Sequence, residues 1–415
     1  MGCKFIEIGL STQSQVPHNK GCIANKLLWQ LLFSGRGVLR IATPWEVSVL
    51  GFRRVAILPL SLLAVLLGCG SNFAAQPGAI TITSVVPSST GAPNSVASLW
   101  PFEFVSVQGT GQIFSYNVST GSQVAVGTPY ATPCADPSGM VIAAVSGVNI
   151  MAVACYDTGS LLTLTVNADG SLTALGSVGG LASPYPGIAL DGTNVFLPLF
   201  GVSQGANGGV AKVSIANPVN PVVTGVATLT SPGPGEYANP GYLAVNSGYI
   251  IVAAGSESGP QSSSSTVQMV SEASMTVVGA PLVVAHSPQQ ISIKNNIAYV
   301  TLYDAAEVEA IDVSMPGNLL PLQVLSMSSP GVVCHGLGVL ANGNSLYVGC
   351  YSEGMIQQID ITNPAAMVPG MTISGVSHPQ QLRQSGSYLL IPTGVTGGSV
   401  YEVNANLSNT VGGKV

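Results

Sequence analysis

Pro137, Pro186, Pro240 and Pro288 each open a similar run of residues, and they stand 49, 54 and 48 residues apart. Pro379 follows Pro288 by 91 residues, two periods, with His335 opening the unit between them. Inside a unit the order of signals repeats. PQQISIKNNIAYVTLYDAAEVEAIDVSMPGNLLP (288–321) lies over HGLGVLANGNSLYVGCYSEGMIQQIDITNPAAMVP (335–369) and over PGIALDGTNVFLPLFGVSQGANGGVAKVSIANPVNP (186–221). Each reads as a strand A after a proline-type turn, a strand B such as AYVTLY, and a strand C ending at an Asp/Asn-Pro turn. So short a unit cannot bury its own apolar faces, and a period of about 45–50 residues with four short strands marks the blade of a β-propeller. Units open near 101, 137, 186, 240, 288, 335 and 379, which predicts an all-β chain folded as a β-propeller of seven four-stranded blades, with six or eight as the alternatives. The first unit lacks a clear strand A and the last has only a faint strand D. Ile80–Val86 alternates like a strand and is a candidate to supply that last one, because a closed ring leaves no exposed edge.

Composition agrees. Hydrophobic residues make up 47% and charged residues 7% of the chain, where a typical soluble protein carries about 25% charged residues. Charge is divided unevenly. Residues 1–68 hold seven Lys/Arg against two Asp/Glu, whereas residues 69–415 hold four against fifteen. So acidic a main region offers phosphates no basic surface, which excludes nucleic acid as a partner.

Arg53-Arg54 precede the apolar run VAILPLSLLAVLLG (55–68), too short to span a bilayer as a helix and laid out like a signal peptide over 51–68. Leu66-Leu67-Gly68-Cys69 resembles a bacterial lipobox, which implies lipidation of Cys69 and attachment to the membrane through that lipid. Gly70 after it implies, by the same resemblance, export to the outer membrane or cell surface. Signal peptides sit at the N-terminus, so residues 1–50 read as an over-called extension, with translation expected to start near Val47, Val49 or Leu50. Residues 69–98, rich in Ser, Pro, Gly and Ala, read as a tether, and 99–415 as the propeller.

IAYVTLYDAAEVEAIDVSMPGNLLP (297–321) and MIQQIDITNPAAMVP (355–369) resemble the LVIVD and YVTN families of bacterial propeller repeats. The resemblance covers roughly 100–415 as a pattern. It implies an extracytoplasmic propeller and supplies no set of catalytic residues.

In a propeller, strand A lines the central channel. The D–A and B–C connections emerge on one face, the A–B and C–D turns on the other. Asp169, Asp312 and Asp360 fall at C–D turns and are expected to shape them. Function is expected on the other face, among loops held by a rigid scaffold. There GVSQGANGG (201–209) and SESGPQSSSS (256–265) lengthen two B–C connections, and SPGPGEYAN (231–239) lengthens a D–A connection. Tyr156 with Asp157, Tyr303 with Asp304, and Tyr351 with Glu353 follow strand B in their units and point to the same side. His286, His335 and His378, the three histidines after residue 69, stand at the start of consecutive units in HSPQQ, CHGLG and HPQQL. The repeated Pro-Gln-Gln places Gln289, Gln290, Gln380 and Gln381 beside two of them.

Two readings of these residues stay open. Copying a blade copies its first residues, so they could serve structure alone. Alternatively they form a rim that binds a protein, a polymer or a small ligand. In that case three imidazoles could also hold a metal or act as general acids and bases. No motif calls for an organic cofactor, and a metal on the three histidines is the only inorganic candidate. GVSQG (201–205) spells G-x-S-x-G but leads into a loop and a strand, not a helix, so Ser203 reads as a loop serine. Arg383, the single arginine after residue 54, lies in a strand A, where an interblade salt bridge or an exposed position is expected.

Four cysteines remain beyond Cys69. In PCADPSGMVIAAVSGVNIMAVACYD (133–157) and VCHGLGVLANGNSLYVGCYSE (333–353), one precedes strand A and the other ends strand B. Antiparallel pairing of A with B brings those positions together, which predicts Cys134–Cys155 and Cys334–Cys350 disulfides and an oxidising compartment. The leading functional expectation is a lipid-anchored, non-enzymatic propeller that presents a binding rim in the cell envelope. The alternative is a propeller hydrolase or lactonase, with or without a metal, that uses the three histidines.

Overall fold

The computed structural model describes residues 39–42, 47–50, 81–87 and 91–405, apart from 120–122, 201–206, 234–235, 257–264, 286 and 329–332. The chain divides into two units, 1–76 and 77–415. In the first, Leu39–Ala42 pairs antiparallel with Val47–Leu50. The expected signal peptide (51–68), Cys69 and residues 70–80 lie outside the described residues.

The second unit is a seven-bladed β-propeller of antiparallel, four-stranded sheets, with no helix among the described residues. Blade 1 runs from strand A, Ala92–Leu99, through Phe102–Gln108 and Gln112–Asn117 to Val124–Ala125. Blades 2 and 3 span Pro137–Val178 and Ala189–Thr228, and blade 4 spans Ala238–Val284. Blades 5 and 6 span Pro288–Ser326 and Gly336–Ser374. Blade 7 takes strands A to C from Arg383–Ser385, Tyr388–Pro392 and Ser399–Asn404. Its strand D is Thr81–Pro87, which pairs with Ser399–Asn404 so that the two ends of the unit close one sheet. The strand A missing from the first unit is therefore Ala92–Leu99, all but its last residue within the stretch 69–98 read as a tether. APNSVASL carries too few large apolar residues to announce a strand, yet six of its eight residues are buried.

Apolar packing sits between blades, one cluster per seam. Val145, Ile150, Val195 and Leu197 belong to the seam of blades 2 and 3, and Tyr299, Val308, Leu346 and Val348 to that of blades 5 and 6. Each strand B serves two seams at once. Ile250, Val252 and Ala254 face blade 3, while Ile251 and Ala253 face blade 5. Burial on both sides explains why these strands read as unbroken apolar runs rather than alternating ones.

Turns on the far face follow their residue types. Ser146-Gly147, Ser247-Gly248 and Asn295-Asn296 all have positive φ, as two-residue type I′ hairpins between strands A and B require. Asp169, Asp312 and Asp360 each accept a hydrogen bond from the backbone N–H two residues on, so their carboxylates hold the C–D turns.

Both disulfides are formed as paired in the sequence, Cys134–Cys155 and Cys334–Cys350, with Cα–Cα separations of 5.9 and 4.7 Å. Each joins the start of strand A to the end of strand B. A backbone bond marks the same joint: Tyr156 N–H donates to Asp136 O, and Tyr351 N–H to His335 O, both at 3.0 Å. Blade 5 has that bond without cysteines, from Tyr303 N–H to Ser287 O at 3.0 Å.

Candidate functional site

Strand B of blades 2, 5 and 6 is followed directly by a tyrosine and, within two residues of it, by an acid, and in each blade the acid folds back onto the start of strand A. Asp157 accepts the N–H groups of Ala135 and Asp136 at 3.0 and 3.3 Å. Asp304 accepts the Ser287 hydroxyl. Glu353 does more. One carboxylate oxygen accepts His335 N–H at 3.0 Å and the other meets His335 Nδ1 at 2.6 Å. The carboxylate clasp is thus a feature of the blade, and blade 6 adds an imidazole to it. With Nδ1 held by Glu353, a neutral His335 donates there and leaves Nε2 as an acceptor.

Next to this pair, rings from three blades meet edge to edge. Tyr303 lies 5.5 Å from His335 and 6.5 Å from Tyr351, and Tyr351 lies 5.1 Å from His378. The ring planes are inclined by 50° to 71°. Tyr303, His335 and Tyr351 are half-buried and His378 is exposed. Hydroxyls fill the gaps between rings: Tyr303 and Ser352 hydroxyl oxygens are 3.0 Å apart, and Ser377 Oγ is 2.8 Å from His378 Nδ1. Burial raises the Tyr351 phenol pKa, and the neighbouring Tyr303 raises it further. His378 and Ser287, which both precede a proline, have φ of +44° and +54°. Residues before proline normally stay extended, so both are held in a conformation that side chains rarely adopt.

The predicted candidates therefore separate. Tyr303, His335, Tyr351, Glu353 and His378 come together over blades 5 to 7, with Asp304 at the edge. Asp157 stands on blade 2, away from them, as a clasp. His286 lies outside the described residues. Among the described residues no group of three or more His, Cys, Asp or Glu is placed to hold a metal ion. Gln290 is 3% exposed and braces the ring: its Oε1 accepts Val339 N–H and Leu382 N–H at 3.0 and 3.2 Å. Gln381 is fully buried. Gln289 and Gln380 are half-buried, and Gln380 Oε1 is buried without a partner. Of the lengthened loops, 201–206 with Ser203, 257–264 and 234–235 lie outside the described residues.

A second ring cluster on the same face escaped the sequence reading. Tyr185 lies 6.0 Å from Tyr156 and stacks on Phe200 at 5.5 Å. The signal was positional: Tyr185 precedes Pro186 as His378 precedes Pro379, and Phe200 follows strand B. Behind Tyr185 the inner strands of blades 3 and 4 touch, where Gly187 N–H donates to Gly241 O at 3.2 Å. A Cβ at Gly187 would fall 2.2 Å from Tyr242 Cα, so only glycine fits.

No family model and no curated protein sequence matches the chain. Solved structures do. Hydrazine synthase of Kuenenia stuttgartiensis superposes with a TM-score of 0.60 at 12% identity, over 81% of this chain and all of that one. Virginiamycin B lyase of Staphylococcus aureus gives 0.55 at 11% identity, over 79% and 99%. A 6-phosphogluconolactonase-like protein of Bacteroides fragilis gives 0.55 at 13% identity, over 72% and 93%. At such identities the likeness carries the seven-bladed β-propeller fold and nothing finer.

Proposed function

We propose that this chain is an extracytoplasmic, lipid-anchored binding propeller whose D–A and B–C face over blades 5 to 7 takes a neutral polysaccharide. The observation that carries the reading is the ring track Tyr303–His335, Tyr303–Tyr351 and Tyr351–His378, partly exposed and interleaved with hydroxyl and carboxylate groups. Aromatic rings offer an apolar face with a polar edge, which suits the C–H faces and hydroxyls of a sugar. Asp304 and Glu353 give the rim an acidic edge that disfavours polyanions. Two disulfides are at home in an oxidising compartment, and the lipobox-like Leu66–Cys69 supports a lipid anchor there.

Affinity electrophoresis through gels loaded with neutral polysaccharides tests this. The wild-type chain is expected to be retarded by at least one of them, and Tyr303→Ala/Tyr351→Ala to migrate as in an empty gel. Equal retardation of both proteins, or none for the wild type across the panel, contradicts the rim.

The runner-up is a hydrolase or lactonase. One observation favours it: Glu353 fixes His335 at Nδ1, which leaves Nε2 to take a proton. Blade 2 argues the other way, since Asp157 makes the same backbone clasp with no histidine beside it. Turnover of a lactone or ester panel that disappears in His335→Gln would reverse the ranking.

A further inference from the structure

The inside of the ring holds a cation that the sequence reading assigned to a salt bridge or to solvent. Arg383 opens strand A of blade 7 and is half-buried. The ion pairs among the described residues are Lys212–Glu272 and His335–Glu353, and neither involves it. Burial disfavours its charged form and holds its pKa below the usual arginine value, yet a guanidinium keeps its proton in proteins. A guanidinium partly withdrawn from water, with no ion-pair partner among the described residues, is costly, and an anion beside it would relieve that cost.

Its neighbours define the setting. Gln381 and Leu382 immediately precede that strand; Leu382 packs into the seam of blades 6 and 7, and Arg383 lies close enough to the Tyr242 phenol for their charges to interact. Gln381 reaches across the ring to blade 4, where its Nε2 is 3.5 Å from the Tyr242 hydroxyl oxygen. Gln381 is 0% and Tyr242 5% exposed, and Gln381 Oε1 has no partner. Burial pushes the Tyr242 phenol up to about 12, against the Gln381 hydrogen bond and then the Arg383 charge. Turning the Gln381 carboxamide over lets Tyr242 donate to Oε1 and frees the amide N–H donors.

We propose that Arg383, Tyr242 and Gln381 form an anion socket in the central channel for a small monocarboxylate. A single guanidinium fork matches the two oxygens of one carboxylate, and the carboxamide, held by the Tyr242 hydroxyl, adds neutral N–H donors. A phosphate dianion would leave excess charge in a desolvated site. The socket is separate from the rim and does not rest on the polysaccharide reading.

Thermal unfolding of the full chain in acetate at constant ionic strength tests it, with acetamide and inorganic phosphate as comparisons. Acetate is expected to raise the melting temperature saturably, above phosphate, with no effect of acetamide. Arg383→Gln should need at least about tenfold more acetate for the same shift, as loss of a charged hydrogen bond implies. Arg383→Lys, which keeps charge without the fork, and Tyr242→Phe should each weaken the effect severalfold. Without acetate, Arg383→Gln should melt no lower than wild type, because it removes an unpaired charge. A lower melting temperature, or failure to fold, would make Arg383 a structural brace and overturn the socket. An acetate effect unchanged in Arg383→Gln, or matched by phosphate, would overturn it as well.

Discussion

Glu103 and Glu309 place carboxylates where charge is disfavoured, at 2% and 4% exposure. Burial, and then the charge of Glu402, raises the Glu103 pKa to about 7 against the hydrogen bonds of Gln123 and Ser385. Burial, and then Glu307, raises Glu309 to about 7. A folded pKa above the unfolded value near 4.5 means that the folded state binds the proton more tightly. Stability is then full below the unfolded pKa and falls as pH rises toward 7. Glu103→Gln should therefore stabilise the protein by about 3 kcal/mol more at pH 8 than at pH 4, measured by urea unfolding at both. An equal effect at the two pH values would show that Glu103 titrates normally. Asp360 has the opposite sign: bonds from Thr362 lower its pKa, so its contribution is present at neutral pH and is lost on acidification. The Asp360 role was legible from its place at a C–D turn. Glu103 was not, because its burial depends on a seam between the first and last blades that no local pattern announces.

At the scale of elements, the joint between the start of strand A and the end of strand B organises the candidate face. Blades 2 and 6 lock it with a disulfide, a backbone bond and a carboxylate clasp, and blade 5 has the last two. Replacing Cys334 and Cys350 together by alanine should cost roughly 3 kcal/mol, the loop-entropy value for a bridge of this span. Chemical denaturation reads that loss; an unchanged midpoint would mean that the clasp alone fixes the joint. The cysteine pairing could be read from sequence because two units repeat it at the same slots. The roles of Gln290 and Gln381 could not. Pro-Gln-Gln looked like a rim motif, yet a strand that leads into the channel turns every second side chain inward, and these two glutamines tie blades together. The ring track was half legible: each member could be assigned to the face, but only packing of blades 5 to 7 brings their rings within 6.5 Å.

For the whole molecule, the repeat points to seven blades over six or eight, and the alternating run Ile80–Val86 points to the strand that closes the ring. Thr81–Pro87 completes blade 7, and the seam between blades 7 and 1 has a small apolar core: Val96, Val105, Val107, Tyr116, Leu390 and Val400. Buried Glu103 lies on the blade 1 side of that seam and Glu402 on the blade 7 side. Deleting 77–87 should lower the melting temperature and promote self-association, because Ser399–Asn404 becomes an open edge. Light scattering and calorimetry that matched the intact chain would show closure without that strand. The claim that function sits on the D–A and B–C face is tested most directly by hydrogen exchange of the full chain with and without a polysaccharide that retards it. Slowed exchange is expected around Tyr303–Ala306, Tyr351–Gly354 and Ser377–Gln380, with the hairpins at Ser146, Ser247 and Asn295 unchanged. Protection at those hairpins, with none at Tyr303 or Tyr351, would contradict the account.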